Sequence, residues 1–254
     1  MQFAASHCFG ESGRAILPAL AEHQADPVAT AITPRLVLAL QLLVLLLRWL
    51  PPRRIPVSIA YEAPTIIYTD AMYEPPLPFG VAYVVFSHRR RHPQAGWAHL
   101  PDAMVAHWVP KRQQICQGEL MAALLALYNE PSLLKDADII HFIDNRAALS
   151  GVIRGCSSKS DSAAIASVYH LLLARIGARC WAEHVDSDSN PIDAMSRVGP
   201  AGALPGWEVH PATVPEWGPA STMSLITLLW MFVPEESQID FLAHLPHEAR
   251  VLLV

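Results

Sequence analysis

Four acidic residues occupy positions at which a folded chain could bring them together. Two of them end predicted strands, one opens a predicted helix and one lies in the first turn of a later helix: Asp70, Asp144, Glu119 and Asp193. Carboxylates that converge without bases repel one another, so a shared hard divalent cation is their usual reason to meet. Two Mg²⁺ ions about 4 Å apart catalyse in-line phosphodiester hydrolysis, one activating water and the other stabilising the leaving oxygen. The four acids therefore predict metal-dependent phosphodiester chemistry.

The central segment alternates strand and helix patterns that would position these acids. Predicted strands cover 65–69, 80–87, 103–109, 138–143 and 179–185, because these short runs are apolar, β-branched or aromatic. Predicted helices cover 118–129, about 145–153, 160–176 and a stretch from 190, with Ser160 and Asn190 as N-caps. This order predicts an α/β fold, a five-stranded mixed sheet flanked by helices, whose ligands favour crevices beside strand ends.

At these residues the sequence resembles a known family. Four segments look like the acidic motifs of a type 1 ribonuclease H domain: IIYTDAM, ICQGELMA, HFIDNRAALSG and EHVDSDSNPIDAMSR. The DN-x-AAL block and the closing NP-x-D-x-x-SR are similar to the RNase H domain that follows the reverse transcriptase in retrotransposon polyproteins, of the Ty3-like or DIRS-like kind. The resemblance covers about residues 64–198 and implies an RNase H-like fold.

The resemblance implies a magnesium-dependent endonuclease, a hydrolase of the RNA strand in RNA–DNA hybrids that uses two metal ions, with Mn²⁺ as the alternative ion. Asp70 would bridge both metals, Glu119 and Asp144 would complete the leaving-group side, and Asp193 would hold the ion that activates water. Such an enzyme recognises 2′-hydroxyls and backbone rather than base edges. Expected nucleic-acid-binding residues lie beside the acids or in two basic clusters, for which solvated loops are the alternative: Gln117, Asn145, Arg146, Arg89, Arg90, Arg91, Lys111 and Arg112.

Composition divides the chain around this central segment. Residues 1–60 are expected to be a helical extension that looks like the connection leading out of a polymerase, and 61–198 the RNase H-like domain. Residues 199–254 read as a Pro/Gly/Trp-rich linker and an apolar segment, with one Arg against six Asp and Glu. Because most of the net charge of −5 belongs to this tail, the acidity does not exclude a nucleic-acid partner for the middle. The polymerase part of a retroelement is a further expected partner, the chain being a fragment or a domesticated remnant.

Two apolar runs raise the mean hydropathy to +0.25, but neither predicts stable membrane insertion. The run 36–50 is interrupted by Gln41 and Arg48, and the run 225–233 is shorter still, whereas a spanning helix needs about 20 mostly apolar residues. We expect the first to form a helix from near Thr33 to before Pro51, buried in a core or interface, with an interfacial membrane helix as the alternative. The four cysteines lack CxxC pairing, which favours free thiols and an intracellular location, nucleus and cytoplasm both left open.

Two features depart from the family pattern and keep other functions open. The loop 185–190 before Asp193 has no histidine, and residues 72–76 replace the usual glycine-rich turn after Asp70. One alternative is therefore a catalytically inactive RNase H-fold module that binds nucleic acid or protein. Another keeps the fold and changes the substrate, as in an exonuclease or an integrase-like enzyme.

Overall fold

The computed structural model describes residues 14, 17–25, 32–49, 62–108, 114–157 and 159–215. Their six strands form one sheet of order β5-β4-β1-β2-β3-β6: β1 (Thr65–Met72), β2 (Gly80–Phe86), β3 (Gln94–His99), β4 (Asp138–Ile143), β5 (Arg179–His184) and β6 (Glu208–Pro211). Strands β1 to β3 form an antiparallel meander, β4 and β5 run parallel to β1, and β6 runs parallel to β3. This is an RNase H-like α/β fold, as predicted, with six strands rather than five.

Helices lie on both faces of the sheet. In chain order they are α1 (Leu17–Ala25), α2 (Pro34–Trp49), α3 (Asp102–Ala106), α4 (Ile115–Asn129), α5 (Pro131–Leu134), α6 (Arg146–Arg154), α7 (Ser160–Ile176) and α8 (Asp193–Val198). Two 3₁₀ turns, Ser187–Ser189 and Gly199–Gly202, flank α8.

Helix α4 is the centre of the structure. Residues 117–127 are all buried, because the helix lies between the sheet and α7 and contacts both. A helix that is apolar all round requires such complete burial. Glu119 is buried together with the apolar residues of this helix and lies beside β1.

The opposite face of the sheet is only partly covered. Helix α8 packs on β2 through a small cluster that includes Ala82, Val84 and Met195. Over β4 and β5 the same face is more open, since Phe142 is half-buried and Trp181 is 68% exposed. The sheet therefore presents an accessible surface at its β5 end.

Helix α2 packs one face into the main core. Ala39 and Leu46 belong to the same buried cluster as the sheet and α4, and Leu43 packs against it. The Thr33 hydroxyl accepts a hydrogen bond from the Leu36 amide at 3.2 Å and caps the helix start. The predicted helix thus begins and ends where the prolines indicated. No helix in the described ranges is both long enough and apolar enough to traverse a bilayer.

One predicted strand is wrong. The run 103–109 lies largely in α3, and β3 is formed instead by Gln94–His99. Asp102 occupies the first turn of α3, where a carboxylate favours a helix start. Strand β3 contains a glycine and two alanines, so its own pattern is weak, and pairing with β2 defines it.

Two predicted helix starts and the predicted linker also need correction. Helix α7 begins at Ser160, so that its N-cap residue is Lys159, and α8 begins at Asp193 rather than after Asn190. The Asn190 amide instead donates to the Thr69 carbonyl at 3.1 Å and ties this loop to β1. Residues 199–215, expected as a linker, hold a 3₁₀ turn and β6. The apolar segment 225–233 lies outside the described residues.

Candidate metal centre

Parallel pairing of β1 and β4 brings Asp70 beside Asp144. Thr69 and Ile143 are register partners, and each acid is the next residue of its chain segment. Glu119 reaches them from α4, where its carboxyl group accepts a hydrogen bond from the Ala71 amide. One carboxylate oxygen of each acid lies within 4.8 Å of the other two. The structure therefore brings three of the four predicted acids together.

Two glycines permit the close approach of the elements that carry the site. A Cβ at Gly118 would overlap the ring of Phe79, and a Cβ at Gly80 would overlap the carbonyl oxygen of Ser196. The first allows the N-terminal turn of α4 to contact the start of β2. The second allows α8 to lie directly on β2, which places the Ser196 side chain beside Asp70.

Burial and mutual repulsion make two of the acids unusual. Burial raises the pKa of Asp70 to about 7. The hydrogen bond from the Ser196 hydroxyl lowers this pKa, whereas the nearby charges of Asp144 and Asp193 raise it further. Burial also raises the pKa of Glu119 well above its ordinary value, with the charges of Asp70 and Asp144 adding to the effect. Such a cluster stores electrostatic free energy that a bound cation would release.

One buried oxygen shows that these residues fit a divalent cation. The Oε2 atom of Glu119 is buried and has no hydrogen-bond partner among the described residues. A buried carboxylate oxygen left without a partner is costly, and this one belongs to a set of three hard oxygen donors of the kind that Mg²⁺ and Mn²⁺ bind. The donor set and the unsatisfied oxygen are both what a metal centre requires.

Hydroxyl groups hold two of the carboxylates in place. The Ser196 hydroxyl donates to Oδ2 of Asp70 and contacts the Asp193 carbonyl at 2.8 Å. The Ser187 hydroxyl donates to Oδ2 of Asp144 at 2.9 Å. Neither serine was among the predicted site residues; Ser196 lies in the quoted NP-x-D-x-x-SR motif, whereas nothing in the sequence pattern singles out Ser187.

Asp193 lies at the edge of the cluster and is paired with a cation. The Arg197 guanidinium donates to both oxygens of Asp193 at 3.0–3.1 Å, and its Nη1 lies 3.7 Å from a Glu74 oxygen. The i to i+4 spacing on one helix brings this pair together. Asp193 is therefore not one of the three converging acids, although it lines the same cleft of about 310 Å³.

Five of the eight predicted nucleic-acid contacts fall into three groups. Asn145 lines the cleft and caps α6 by accepting from the Ala147 and Ala148 amides, while Arg146 is exposed beside it. Gln117 is fully buried and donates to Asp161 at 3.0 Å, so its side chain lies inside the fold, and its contact with a hybrid stays a prediction. Lys111 and Arg112 lie outside the described residues.

The arginine cluster lies in the β2–β3 turn, away from the acids. Asp70 pairs with Ala82, whereas Phe86 before the turn pairs with Ile66, a separation of about 13 Å along the strand at 3.3 Å per residue. Arg89 donates to the carbonyls of Leu133 and Lys135 at 3.3 and 2.6 Å, while Arg90 and Arg91 are exposed. This placement makes Arg89 a structural link to α5.

His184 does not take the place of the histidine that the loop lacks. Its Nε2 lies 3.0 Å from the backbone carbonyl of Asp144 and donates to it, and its Nδ1 lies 3.8 Å from Asp186. The ring therefore joins the ends of β4 and β5. Its hydrogen bond goes to the backbone of Asp144 and not to the carboxylate.

No protein-family model matches this chain, and no curated protein matches it. Among solved structures, the RNase H1 of the halophilic archaeon Halobacterium salinarum NRC-1 is similar, with 19% identity and a TM-score of 0.38 over 50% of this chain and 88% of the archaeal one. The strand order and the three converging acids give an RNase H-like fold with a carboxylate cluster.

Proposed function

We propose that the chain is a divalent-metal-dependent endoribonuclease that hydrolyses the RNA strand of RNA–DNA hybrids. The observation that carries the proposal is the convergence of Asp70, Glu119 and Asp144, with one Glu119 oxygen buried and unsatisfied. Bound divalent ions would supply activation of the attacking water and stabilisation of the leaving oxygen. The order of the acids along the chain and the quoted family motifs support this activity over other uses of the same fold.

The residues of the chain would hold and orient these groups. Asp70, Glu119 and Asp144 would be metal ligands, with Ser196 and Ser187 fixing the orientation of the two aspartates. Asp193 would become the fourth ligand when Arg197 releases it, so that a second ion could be held. Asn145 and Arg146 at the cleft would contact the hybrid.

Cleavage of a labelled RNA–DNA hybrid by the full chain in Mg²⁺ tests the proposal. We expect cleavage that needs the metal and falls more than about a hundredfold in Asp144→Asn, since even the loss of outer partners of a metal ligand costs about 10–100-fold. The matched control is Asp138→Asn at the start of the same strand, which removes a half-buried acid bound to Arg179 and remote from the cluster. The control should retain activity.

Two results would contradict the proposal. One is the absence of metal-dependent cleavage by the folded chain, and the other is cleavage that survives Asp144→Asn unchanged. Single-stranded DNA, duplex DNA and the hybrid should be compared in the same assay. Stronger cleavage of either DNA substrate would favour an exonuclease or integrase-like enzyme.

We also propose a retroelement origin, with residues 1–60 derived from a polymerase connection, 61–198 as the nuclease and 199–254 as a further extension. The DN-x-AAL and NP-x-D-x-x-SR motifs support this origin. Packing of α2 into the main core and pairing of β6 with β3 indicate that both flanks contribute to the folded unit. The polymerase part of the element is the corresponding partner.

The second candidate function is a catalytically inactive module that binds nucleic acid or protein. The ion pair between Arg197 and Asp193 favours it, because the guanidinium already neutralises the acid expected to hold the second ion. Calorimetric titration with Mg²⁺ separates the candidates. An inactive module should bind the metal much more weakly than an active hydrolase does.

A further inference from the structure

Strand β5 is the outer strand of the sheet, and half of its backbone groups point away from β4. The amides of Arg179 and Val185 donate to the carbonyls of Ala137 and Ile143, so the odd-numbered residues face β4 in this parallel ladder. The backbone groups of Cys180 and Ala182 therefore face outward. Among the described strands, β5 pairs with β4 alone. An edge of this kind is a template for another strand.

A large exposed side chain lies in the middle of this edge. Trp181 is 68% exposed, on the open face of the sheet beside its register partner Ile140. Its indole N–H donates to Oε2 of Glu183 at 3.2 Å, which holds the ring along the strand. A tryptophan offers about 150–250 Å² of surface for burial against a partner.

Opposite charges stand two residues on either side of Trp181. Arg179 binds Asp138 through Nε and Nη2 at 2.6 and 2.7 Å, a pair that leaves its Nη1 hydrogens for another acceptor. Glu183 accepts from the His184 amide at 3.1 Å and from Trp181, and these hydrogen bonds lower its pKa. All three side chains share one face, in the order cation, tryptophan, anion.

We propose that β5 pairs antiparallel with β5 of a second copy of this chain, around a two-fold axis at Trp181. Antiparallel reversal places Arg179 of each copy opposite Glu183 of the other, so the edge is complementary in charge to itself. It also places Cys180 opposite Ala182 of the other copy. Each of these is a hydrogen-bonded pair, in which the two residues exchange both backbone hydrogen bonds. The two copies of Trp181 lie opposite each other at the axis as a non-hydrogen-bonded pair.

The choice of a second copy of this chain as the partner follows from this symmetry. An isologous interface brings the same patch of both copies together, so its charge pattern must be self-complementary, as the pattern of Arg179 and Glu183 is. The interface is small, which makes the dimer dependent on concentration. The pairing is independent of the proposed nuclease activity, since no metal ligand takes part.

Charge reversal with mixing tests the pairing by sedimentation velocity of the full chain over a concentration series. Arg179→Glu and Glu183→Arg should each weaken self-association about tenfold or more, because like charges then face each other at both ends. A one-to-one mixture of the two variants should restore the dimer, since both facing pairs are again opposite. Glu208→Arg on β6 is the matched control and should dimerise like the unmodified chain.

Three outcomes would overturn the proposal: an unmodified chain that stays monomeric throughout, variants that dimerise normally, or a mixture that stays monomeric. Circular dichroism checks that each variant is folded. If either charge variant is unfolded, oxidative cross-linking decides instead. Trp181→Cys should form a disulfide across the axis, because the Cα atoms of a non-hydrogen-bonded pair lie about 4.5 Å apart. Arg179→Cys, displaced from the axis, should not, and equal cross-linking of both variants would contradict the register.

Discussion

At the scale of single residues, the three converging acids are held by different neighbours: Ser196 donates to Asp70, Ser187 to Asp144 and the Ala71 amide to Glu119. Strand ends and a helix start brought Asp70, Glu119 and Asp144 together, because strand register and helix period set these positions. Gln117 is buried against Asp161 instead of lining the cleft with Glu119, because two residues along a helix turn a side chain about 200° away from its neighbour. Local spacing also cannot show burial, and burial determines the raised pKa values of Asp70 and Glu119.

Replacing Glu119 should stabilise the metal-free fold and abolish metal binding. In EDTA, Glu119→Gln should raise the free energy of unfolding by about 1 kcal/mol, because it removes a buried acid that repels its neighbours and carries an unsatisfied oxygen. In the same variant the stabilisation by Mg²⁺ should disappear, since stabilisation requires binding to the folded state. Urea denaturation with and without the metal measures both effects.

The control for this substitution is Glu62→Gln. Glu62 is an exposed acid before β1, and its oxygen lies 3.9 Å from His88 and Arg89. Its replacement should leave the stabilisation by Mg²⁺ intact. Equal metal stabilisation of the Glu119 variant and the control would show that Glu119 is not a ligand.

At the scale of elements, a buried polar chain joins three strands to a helix. His141 of β4 contacts the Thr69 hydroxyl of β1 at 3.1 Å and the Tyr169 hydroxyl of α7 at 2.9 Å, and Tyr169 contacts Cys180 of β5 at 3.2 Å. The sequence predicted these four elements from their apolar periods. It could not predict these hydrogen bonds, because partners lie up to 72 residues apart and only the tertiary fold aligns them.

The burial of His141 should make the fold sensitive to acid. Burial lowers the pKa of His141 from 6.5 to about 3, so below pH 6.5 the unfolded chain takes up a proton that the folded chain does not. The contribution of His141 to the free energy of unfolding should therefore fall as the pH decreases from about 6.5 toward 3, by up to about 1.4 kcal/mol per pH unit, whereas the raised pKa values of Asp70 and Glu119 act in the opposite direction. Denaturation curves across this range measure the slope.

His141→Gln keeps polar groups at the site and removes the titration. Compared with the unmodified chain, this variant should lose less stability as the pH decreases. His107→Gln, at an exposed histidine after α3, should leave the slope unchanged. If His141→Gln retained the full slope, other groups would account for the acid sensitivity.

At the scale of the whole molecule, the N-terminal helix and the sheet share one core. Leu46 of α2 is 1% exposed within the main buried cluster, whereas the next residue, Leu47, is 60% exposed. Composition marked residues 1–60 as a separate extension, because leucine content shows that a helix is apolar but not what it packs against. The third strand and β6 escaped prediction for a related reason, since pairing with distant strands defines them rather than their own sequences.

Truncating these two adjacent leucines tests whether the helix belongs to the folded unit. Leu46→Ala should lower the free energy of unfolding by about 2–5 kcal/mol, the usual cost of removing a buried leucine side chain. Leu47→Ala should change it by less than about 0.5 kcal/mol, as at other surface sites. Thermal or urea denaturation should show a single transition in both. Equal small effects would mean that α2 can detach without loss of the core.

The pairing of β6 with β3 gives the sheet two unlike ends. Glu208 and Ala212 donate to the carbonyls of Pro93 and Trp97, so the alternate residues Val209 and Pro211 face away from β3. Pro211 has no amide hydrogen to offer a further strand. A sheet with two equally receptive ends can add copies without limit and become a fibre, whereas one blunted end leaves room for a single addition. If β5 pairs as proposed, β6 would therefore limit the assembly along this sheet to two copies.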